Sequence, residues 1–306
     1  MPSPKPSLSG SVQRSSRDFS FLQQCVFCDI FPVIHPTAIV HSKARLGADV
    51  TVGPYAVIEG GAQIGDGCEI QAHAVICGNV VMGFENTIGY GAIVGGDPQD
   101  LAFQKSTDSA VRIGDRNRIR EHCTIHRGSM EGSETVVGDD CFLMAGAHLA
   151  HNSRLGNHVI LANNVLLAGH VTIADQVFVG GGAVFHQYVR IGRLVICQGI
   201  SGFGKDIPPF CLGAGVNLVA GLNVIGMRRA GFDRAQRAEV KAAFDLLYRS
   251  GRNVSQALAA AREQSWGPES TEFFDFVTSA KKRGICAWSG SGHEEQSSSN
   301  PEAGIS

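Results

Sequence analysis

The sequence predicts a mainly β protein, a parallel β-helix built from six-residue repeats that is followed by a small α-helical C-terminal domain. Two observations predict this fold class. An aliphatic residue recurs at every sixth position over most of residues 34–191, and an apolar spacing typical of helices begins only after residue 222. A helical period of 3.6 cannot keep residues six apart on one side, whereas short strands with regular corners turn each aliphatic side chain inward. About 18 residues therefore make one triangular coil, and successive coils stack as in other solenoids.

The repeat array is interrupted twice. Gly, Asp or Asn commonly follows the aliphatic residue, as in IGDGCE and LGNHVI. The aliphatic positions are Ile34, Val40, Leu46, Val52, Ile58, Ile64, Ile70, Ile76, Met82, Ile88 and Val94, then Ile113, Ile119 and Ile125, then Val137, Leu143, Leu149, Leu155, Leu161, Leu167, Ile173, Val179, Phe185 and Ile191. The β-helix is therefore expected to span residues 34–222, with loops at 97–110 and 128–136.

The C-terminal helical domain is predicted at residues 223–286. In FDRAQRAEVKAAFDLLYRSG, the residues Val240, Ala243, Phe244 and Leu247 have the i, i+3, i+4, i+7 spacing of an amphipathic helix, and Gly251 is its expected stop. VSQALAAAREQ and STEFFDFVTSAKKRG predict two further helices with Ser or Thr near their starts. Residues 1–33 are predicted to be a flexible extension, and residues 287–306 a disordered tail.

Composition limits the class of protein. A hydrophobic content of 43%, a charged content of 18% and a net charge of −2 are typical of a soluble globular protein and indicate no nucleic-acid partner. The apolar stretches are too short for a transmembrane segment. Nine scattered cysteines favour a reducing, cytoplasmic compartment, and the CVFC pair at 25–28 is interpreted as two half-buried thiols. The first 17 residues lack acids, which is compatible with an organellar transit peptide if the source is a plant.

A cluster of histidines is the candidate functional feature. Leu149, Leu167 and Phe185 are 18 residues apart, so they are expected to stack on one side of three consecutive coils. His151, His170 and His186 follow these residues closely and therefore share one face, where adjacent coils lie about 4.8 Å apart. His148 is expected at the corner that leads into this face, and His158 on the next side. Three imidazoles could bind zinc with an open fourth position, one could act as a general base, or all could decorate a non-catalytic scaffold.

A longer set of motifs resembles one enzyme family. In chain order these are PQDL (98–101), IGDRNRIRE (113–121), TIHRGS (124–129), AHLAH, LANNVLLAGH, HQYVRIG, DIPPF (206–210), GLNVIGMRRAGF (221–232) and LYRSG (247–251). Over residues 34–285 the chain resembles bacterial UDP-N-acetylglucosamine O-acyltransferases, which make the first transfer in lipid A biosynthesis. The resemblance implies a left-handed parallel β-helix, a homotrimer, and no metal or other cofactor. It implies two substrates, a 3-hydroxyacyl thioester of acyl carrier protein and UDP-N-acetylglucosamine.

The resemblance also assigns roles to individual residues. It implies that His151 is the general base for the sugar 3-hydroxyl and that the backbone N–H of Gly169 is the oxyanion donor. It implies substrate-binding roles for Gln99, Asp100, His148, His170, His186, Gln187, Gly199, Asn223 and Arg229, with Asn223 and Arg229 contacting the nucleotide and Gly199 limiting acyl length. Three residues depart from the family pattern, namely Asn152 and Ile225 where an acid is frequent and Ala102 where a lysine is frequent.

Two other enzyme classes remain as alternatives. An N-acyltransferase of the same pathway shares the prism and the histidine base but is expected to carry a sizeable N-terminal uridine-binding domain, whereas the repeat here begins at Ile34. A zinc hydratase of the gamma carbonic anhydrase type would use the three histidines as ligands. It provides no reason for the GLNVIGMRRAGF segment or the C-terminal helices.

Overall fold

The structure, a computed structural model, describes residues 34–280 and 283–290. The predicted extension at 1–33, the CVFC pair and the end of the predicted tail lie outside the described residues. Within them the chain forms a triangular prism of short parallel strands, and a helical region follows. No helix in the described ranges has the length and apolar character needed to cross a bilayer.

The strands are mostly two residues long. In chain order they are β1 (Ile39–Val40), β2 (Arg45–Leu46), β3 (Thr51–Val52), β4 (Val57–Ile58), β5 (Gln63–Ile64), β6 (Glu69–Ile70), β7 (Val75–Ile76), β8 (Val80–Met82), β9 (Thr87–Ile88), β10 (Ile93–Gly96), β11 (Ala110–Ile113), β12 (Arg118–Ile119), β13 (Thr124–His126), β14 (Glu134–Val137), β15 (Phe142–Leu143), β16 (His148–Leu149), β17 (Arg154–Leu155), β18 (Ile160–Leu161), β19 (Leu166–Leu167), β20 (Thr172–Ile173), β21 (Phe178–Val179), β22 (Val184–Phe185), β23 (Arg190–Ile191), β24 (Ile196–Cys197), β25 (Gly202–Phe203), β26 (Cys211–Ala214), β27 (Leu218–Leu222) and β28 (Ala287–Trp288).

Every third strand joins the same sheet, which makes three sheets. The first sheet runs β1-β4-β7-β10-β13-β16-β19-β22-β25 and the second runs β2-β5-β8-β11-β14-β17-β20-β23. The third sheet runs β3-β6-β9-β12-β15-β18-β21-β24-β26-β27-β28, and only its β26–β27 pair is antiparallel among the described strand pairs. The aliphatic residues of the repeat from Val52 to Ile191 are buried in the prism, as the six-residue period predicts.

Corner residues explain the polar part of the repeat. The side-chain Oδ1 of a corner Asp or Asn accepts a hydrogen bond from the backbone N–H of a residue in the preceding coil, at 2.8–3.0 Å. The residues that accept in this way are Asp66, Asp115, Asp139, Asn157 and Asp175. These bonds satisfy donors that the short strands leave unpaired, which is why Asp or Asn follows Gly in many repeats.

Two buried asparagines form a polar column inside the prism. Asn86 and Asn117 are both fully buried. Asn86 Oδ1 accepts from the backbone N–H of Asn117 at 2.8 Å, and Asn117 Oδ1 accepts from the backbone N–H of Cys141 at 2.8 Å. Asn86 Nδ2 also donates to the carbonyl of Gly114 at 2.8 Å. Each side chain therefore replaces a strand-to-strand bond between coils.

We expect Asn86→Ala to lower the free energy of unfolding by about 2–3 kcal/mol, because it leaves the buried N–H of Asn117 and the part-buried carbonyl of Gly114 without their partners. Chemical denaturation followed by circular dichroism measures the change. Gln63→Ala, which removes an exposed amide from β5, is the matched control and is expected to shift stability by less than about 0.5 kcal/mol. Equal stability of the two variants would contradict a structural role for the column.

The two insertions are shorter than the sequence predicts. Strand β11 begins at Ala110 and β14 at Glu134, so the irregular segments are 97–109 and 127–133 rather than 97–110 and 128–136. Residues 134–136 extend β14 because they pair in register with residues 110–112 of β11. The end of an insertion can therefore pair with a neighbouring coil although it lacks the aliphatic period.

The C-terminal region contains helices α1 (Val224–Arg229), α2 (Arg234–Tyr248), α3 (Val254–Arg262) and α4 (Pro268–Thr278). Helices α3 and α4 have Ser or Thr near their starts, as predicted, but these residues are not the N-caps. Helix α3 is capped by Asn253, which forms a capping box with Gln256, and α4 follows Gly267 with proline in its first turn. The predicted disordered tail is wrong at its start, because Ala287–Trp288 pair with β27 as strand β28.

Ion pairs attach the helical region to the last complete coils. Asp206 is buried and accepts from Nε and the backbone N–H of Arg190, whose Nη1 also donates to Ser279 at the end of α4. Arg193 forms a second pair with Glu272 of α4 at 2.7 Å. The helical region is therefore held against the coils that follow the histidine cluster.

Candidate active site

The candidate site is a cleft on the outer surface of the first sheet. Strands β13, β16, β19 and β22 stack in register there, so that Ile125, Leu149, Leu167 and Phe185 point inward at equivalent positions. The cleft has a volume of about 310 Å³. Its lining residues are Gln99, His126, His148, Ala150, His151, Leu166, Leu167, Ala168, Gly169, Val184, Phe185 and Gln187.

The cleft contains some of the predicted site residues and not others. It brings together Gln99, His148, His151, Gly169 and Gln187. His148 lies in strand β16 and not at the corner where the sequence analysis expects it. The predicted residues that do not line this cleft are Asp100, His170, His186, Gly199, Asn223 and Arg229.

His151 and Gly169 lie next to each other among the residues that line the cleft. A Cβ atom on Gly169 would lie 2.6 Å from Cε1 and 2.7 Å from Nε2 of His151. Gly169 is buried, and its backbone N–H has no hydrogen-bond partner within the described ranges. A buried N–H without a partner is available to a ligand beside the imidazole. The other ring nitrogen, Nδ1, is 2.9 Å from Asn152 Oδ1.

His126 is a lining residue that the sequence analysis does not assign. Its ring lies edge-on to that of His148 with 5.1 Å between centroids, and its Nδ1 donates to the carbonyl of Asp97. Burial lowers the pKa of His126, and burial together with the neighbouring His126 lowers the pKa of His148 to about 4. Both imidazoles are therefore neutral near pH 7. Nδ1 of His126 is used by Asp97 and Nδ1 of His148 is 2.7 Å from the Thr124 hydroxyl, so each ring has its Nε2 left for an uncharged polar ligand.

Arg127 anchors the protruding loop that carries Gln99. Its guanidinium donates to the Asp97 carboxylate at 3.0 Å and to the carbonyls of Thr107 and Lys105, and it lies over the ring of Phe103. These contacts hold both ends of the 97–109 segment while Gln99 faces the cleft. Asp100, in contrast, accepts from the N–H of Ala102 in a local turn and points to solvent.

His170 and His186 flank the cleft. The His170 ring stacks on Tyr188 at 4.5 Å and meets the His151 ring edge-on at 5.2 Å, and burial lowers its pKa. His186 Nδ1 accepts from Nη1 of Arg283 at 2.9 Å. His170 therefore supports the His151 ring, while His186 connects the first sheet to the segment after α4. No group of three or more His, Cys, Asp or Glu residues within the described ranges is arranged to hold a metal ion.

A second groove, of about 790 Å³, lies on the third sheet. Apolar side chains of β18, β21, β24, β26 and β27 line it together with α1, and Asn223 and Arg229 are at its edge. Asn223 also caps α1, because its Oδ1 accepts from Gly226 N–H and its Nδ2 donates to the Leu194 carbonyl. Gly199 is exposed at the corner between β24 and β25. The predicted nucleotide residues thus lie on a different face from His151.

The repeats and the site agree with known families. The family model described as a bacterial transferase hexapeptide matches residues 43–78 and 134–169. A second model, described as UDP-N-acetylglucosamine O-acyltransferase, domain 2, matches residues 206–286. The prism with its histidine-lined cleft is therefore that of a transferase built from hexapeptide repeats.

Relatives define the class further. An acyl-[acyl-carrier-protein]–UDP-N-acetylglucosamine O-acyltransferase from Paraburkholderia xenovorans is 44% identical, over 82% of this chain and 98% of the relative. The solved UDP-N-acetylglucosamine acyltransferase from Campylobacter jejuni is 36% identical with a TM-score of 0.78, covering 83% of this chain and 99% of that one. The Arabidopsis enzyme is 31% identical with a TM-score of 0.75, covering 83% of this chain and 99% of that one.

The chain belongs to the UDP-N-acetylglucosamine O-acyltransferase family. The predicted left-handed parallel β-helix is confirmed. The comparisons also support the O-acyltransferase prediction over the zinc hydratase and the N-acyltransferase.

Proposed function

We propose that this protein transfers a 3-hydroxyacyl group from the thioester of acyl carrier protein to the 3-hydroxyl of UDP-N-acetylglucosamine, the first step of lipid A biosynthesis. The names of its relatives give an acyl carrier protein as the donor and UDP-N-acetylglucosamine as the acceptor of an O-acyl transfer. The position of Gly169, which has an unpartnered N–H within the described residues, beside the His151 ring is the observation that supports it most directly. A base beside a backbone donor is the minimum arrangement for acyl transfer.

In this proposal His151 Nε2 removes the proton from the sugar 3-hydroxyl as the oxygen attacks the thioester carbonyl. The N–H of Gly169 donates to the oxyanion, a contribution of about 3 kcal/mol for one well-placed donor. When the tetrahedral intermediate collapses, the carbon–sulfur bond breaks. The imidazolium returns its proton to the departing thiolate, so the ester forms and the base is regenerated. His126, His148, Gln99 and Gln187 are available to bind the sugar and the acyl group.

The proposed assembly is a homotrimer, and the positions of the two grooves support an arrangement of several copies. The histidine cleft is on the first sheet, whereas Asn223 and Arg229 border the groove on the third sheet. One rigid prism cannot bring two of its faces together, but neighbouring copies related by rotation can. In the trimer Arg229 of one copy would bind the nucleotide phosphates above the histidines of the next, because a guanidinium matches phosphate oxygens.

The test is transfer of radiolabelled 3-hydroxymyristoyl from acyl carrier protein to UDP-N-acetylglucosamine by the purified protein. Product formation is expected without added metal. Absence of transfer with every acyl length, in protein that purifies with stoichiometric zinc, would contradict the proposal. Sedimentation of the same sample tests the trimer.

The preferred acyl length is predicted from Gly199. A glycine leaves the path beside the corner open, so we expect an optimum at about fourteen carbons. A Cβ here would lie 3.0 Å from the carbonyl oxygen of Gly181, so a large side chain must project outward from the corner. Gly199→Met is therefore expected to shift the optimum to shorter donors. Rates with donors of about ten to sixteen carbons measure this, and a ten-carbon optimum for the unmodified protein would contradict it.

A further inference from the structure

The second insertion contacts the residue that orients His151. The backbone N–H of Ser129 lies 3.1 Å from Asn152 Oδ1, and the Ser129 hydroxyl lies 2.9 Å from the same atom. A backbone N–H can only donate, so the amide atom that it meets must be the oxygen. This contact fixes the orientation of the Asn152 amide independently of His151.

The orientation of Asn152 determines the tautomer of His151. Because Oδ1 can only accept, the Nδ1 atom of His151 at 2.9 Å must carry the hydrogen. A neutral imidazole has one N–H, so Nε2 is then left with its lone pair free. Nε2 is one of the two ring atoms closest to the position of a Cβ on Gly169. The ring therefore presents its acceptor nitrogen toward Gly169.

We propose that Ser129 and Asn152 are positioning residues that keep His151 as the Nδ1-protonated tautomer, with Nε2 free to act as the base. This inference rests on the proposed role of His151. It also assigns a purpose to the 127–133 insertion, whose Ser129 holds the Asn152 amide from outside the repeat.

The surroundings of Asn152 hold it firmly. Its backbone is in the left-handed region, with φ of 62°, which asparagine adopts more readily than most residues. Its own N–H donates at 2.8 Å to the hydroxyl of Thr135, a buried residue in β14. Ser129 lies within the insertion and Thr135 lies two residues after its end, so Asn152 is hydrogen-bonded both to the insertion and to the strand that follows it. Gly132 N–H in turn donates to the carbonyl of Asp108, which ties the insertion to the 97–109 loop.

The neutral amide of Asn152 should affect how the reaction rate depends on pH. An amide fixes the ring without stabilising its protonated form, whereas a carboxylate at the same place would do both. The titratable groups that face His151 are His126 and His170, and each exerts a like-charge effect with it when protonated. Asp97 and Arg127 lie behind His126 as an ion pair. Replacement of Asn152 by aspartate therefore introduces a charge that no other group in contact with His151 supplies.

Kinetics over a range of pH test the proposal. Asn152→Asp is expected to keep KM nearly unchanged and to move the acidic limb of kcat/KM upward by about one pH unit, because the reaction needs neutral His151 and the carboxylate favours the protonated ring. Asn152→Gly, which suits the positive φ and removes the acceptor that holds Nδ1, is expected to lower kcat by up to about a hundredfold with little change in KM, the cost of a misplaced reactive group. Ser129→Ala removes the hydroxyl donor but keeps the backbone N–H to Asn152, so its loss is expected to be smaller, at most about tenfold. Ser129→Thr, which keeps the hydroxyl, should recover most of that loss.

The tautomer of His151 can be observed without any substrate, so this proposal can be tested separately from the proposed function. The ¹⁵N spectrum of the histidine side chains, with the His151 signals identified by their loss in His151→Gln, reports the tautomer without any substrate. The Nδ1-protonated form is expected in the unmodified protein, and a mixture of tautomers in Asn152→Gly. An Nε2-protonated His151 in the unmodified protein, or an Asn152→Gly variant with unchanged kcat, would overturn the proposal. Loss of all transfer activity in the unmodified protein would instead contradict the proposed function.

Discussion

Replacement of His151 by alanine is expected to lower the transfer rate by about two to four orders of magnitude, the usual contribution of a general base. The His151 imidazole lines the cleft beside Gly169 with Nδ1 bound to Asn152, which leaves Nε2 for the proton transfer. His170 meets the His151 ring edge-on but stacks on Tyr188, which restricts its movement into the vacated position. Initial rates under saturating substrates measure the effect.

His41→Ala is the matched control for this substitution. His41 is an exposed histidine of the first coil, distant in the stack from β16 and β19, and its removal is expected to leave the rate unchanged. Melting temperatures of both variants should remain close to that of the unmodified protein. A His151→Ala protein that is correctly folded and more than about a tenth as active would contradict the assignment of the base.

Gly169→Ala is expected to cause a loss of about a hundredfold or more, although it adds a single methyl group. That methyl would lie 2.6 Å from the His151 ring, so either the imidazole or the backbone that carries the Gly169 N–H must move. A displacement of about 1 Å in a reacting group can reduce the rate a hundredfold. We expect the loss mainly in kcat, because the base and the oxyanion donor are displaced while the sugar-binding side chains stay in place.

Gly204→Ala provides the comparison for Gly169. A Cβ at Gly204 would make only ordinary contact, 3.6 Å from Asn217 Oδ1, and its backbone does not require glycine. This variant should retain full activity and stability. If Gly169→Ala were equally active, the cleft would have to tolerate movement of His151, and the proposed pairing of base and donor would be wrong.

The fold could be predicted in detail because each coil places the same kinds of residue at the same interior positions. The aliphatic position and the smaller residue four places later both face the interior, which is why Leu149 and Ser153 are both buried. The period predicts parallel stacking but carries no information about handedness, which depends on backbone geometry at the corners. The length of the insertions was harder to predict, because residues 134–136 pair with β11 without an aliphatic repeat.

The site was only partly predictable because an insertion interrupts the repeat beside it. His151 and Gly169 fall in an uninterrupted part of the array, where counting in steps of 18 places them on adjacent coils. His126 was missed because the 127–133 insertion separates it from the coils that follow. It comes directly after Ile125, as His186 comes after Phe185, and this shared offset is the signal that could have identified it. The capping role of Asn223 depends on where α1 begins, which a single sequence does not define.

The antiparallel strand β27 affects what is exposed at the edge of the last coil. A stack of near-identical coils has no internal limit, so an open final coil is a template on which another chain can continue the stack and form a fibre. Here β26 is covered by a strand running the opposite way, and the edge beyond it is β28, only two residues long. The reversal of strand direction therefore ends the parallel stacking of the third sheet. A chain truncated before β26 would leave β24 as a parallel edge of this sheet and is expected to self-associate, which sedimentation would detect.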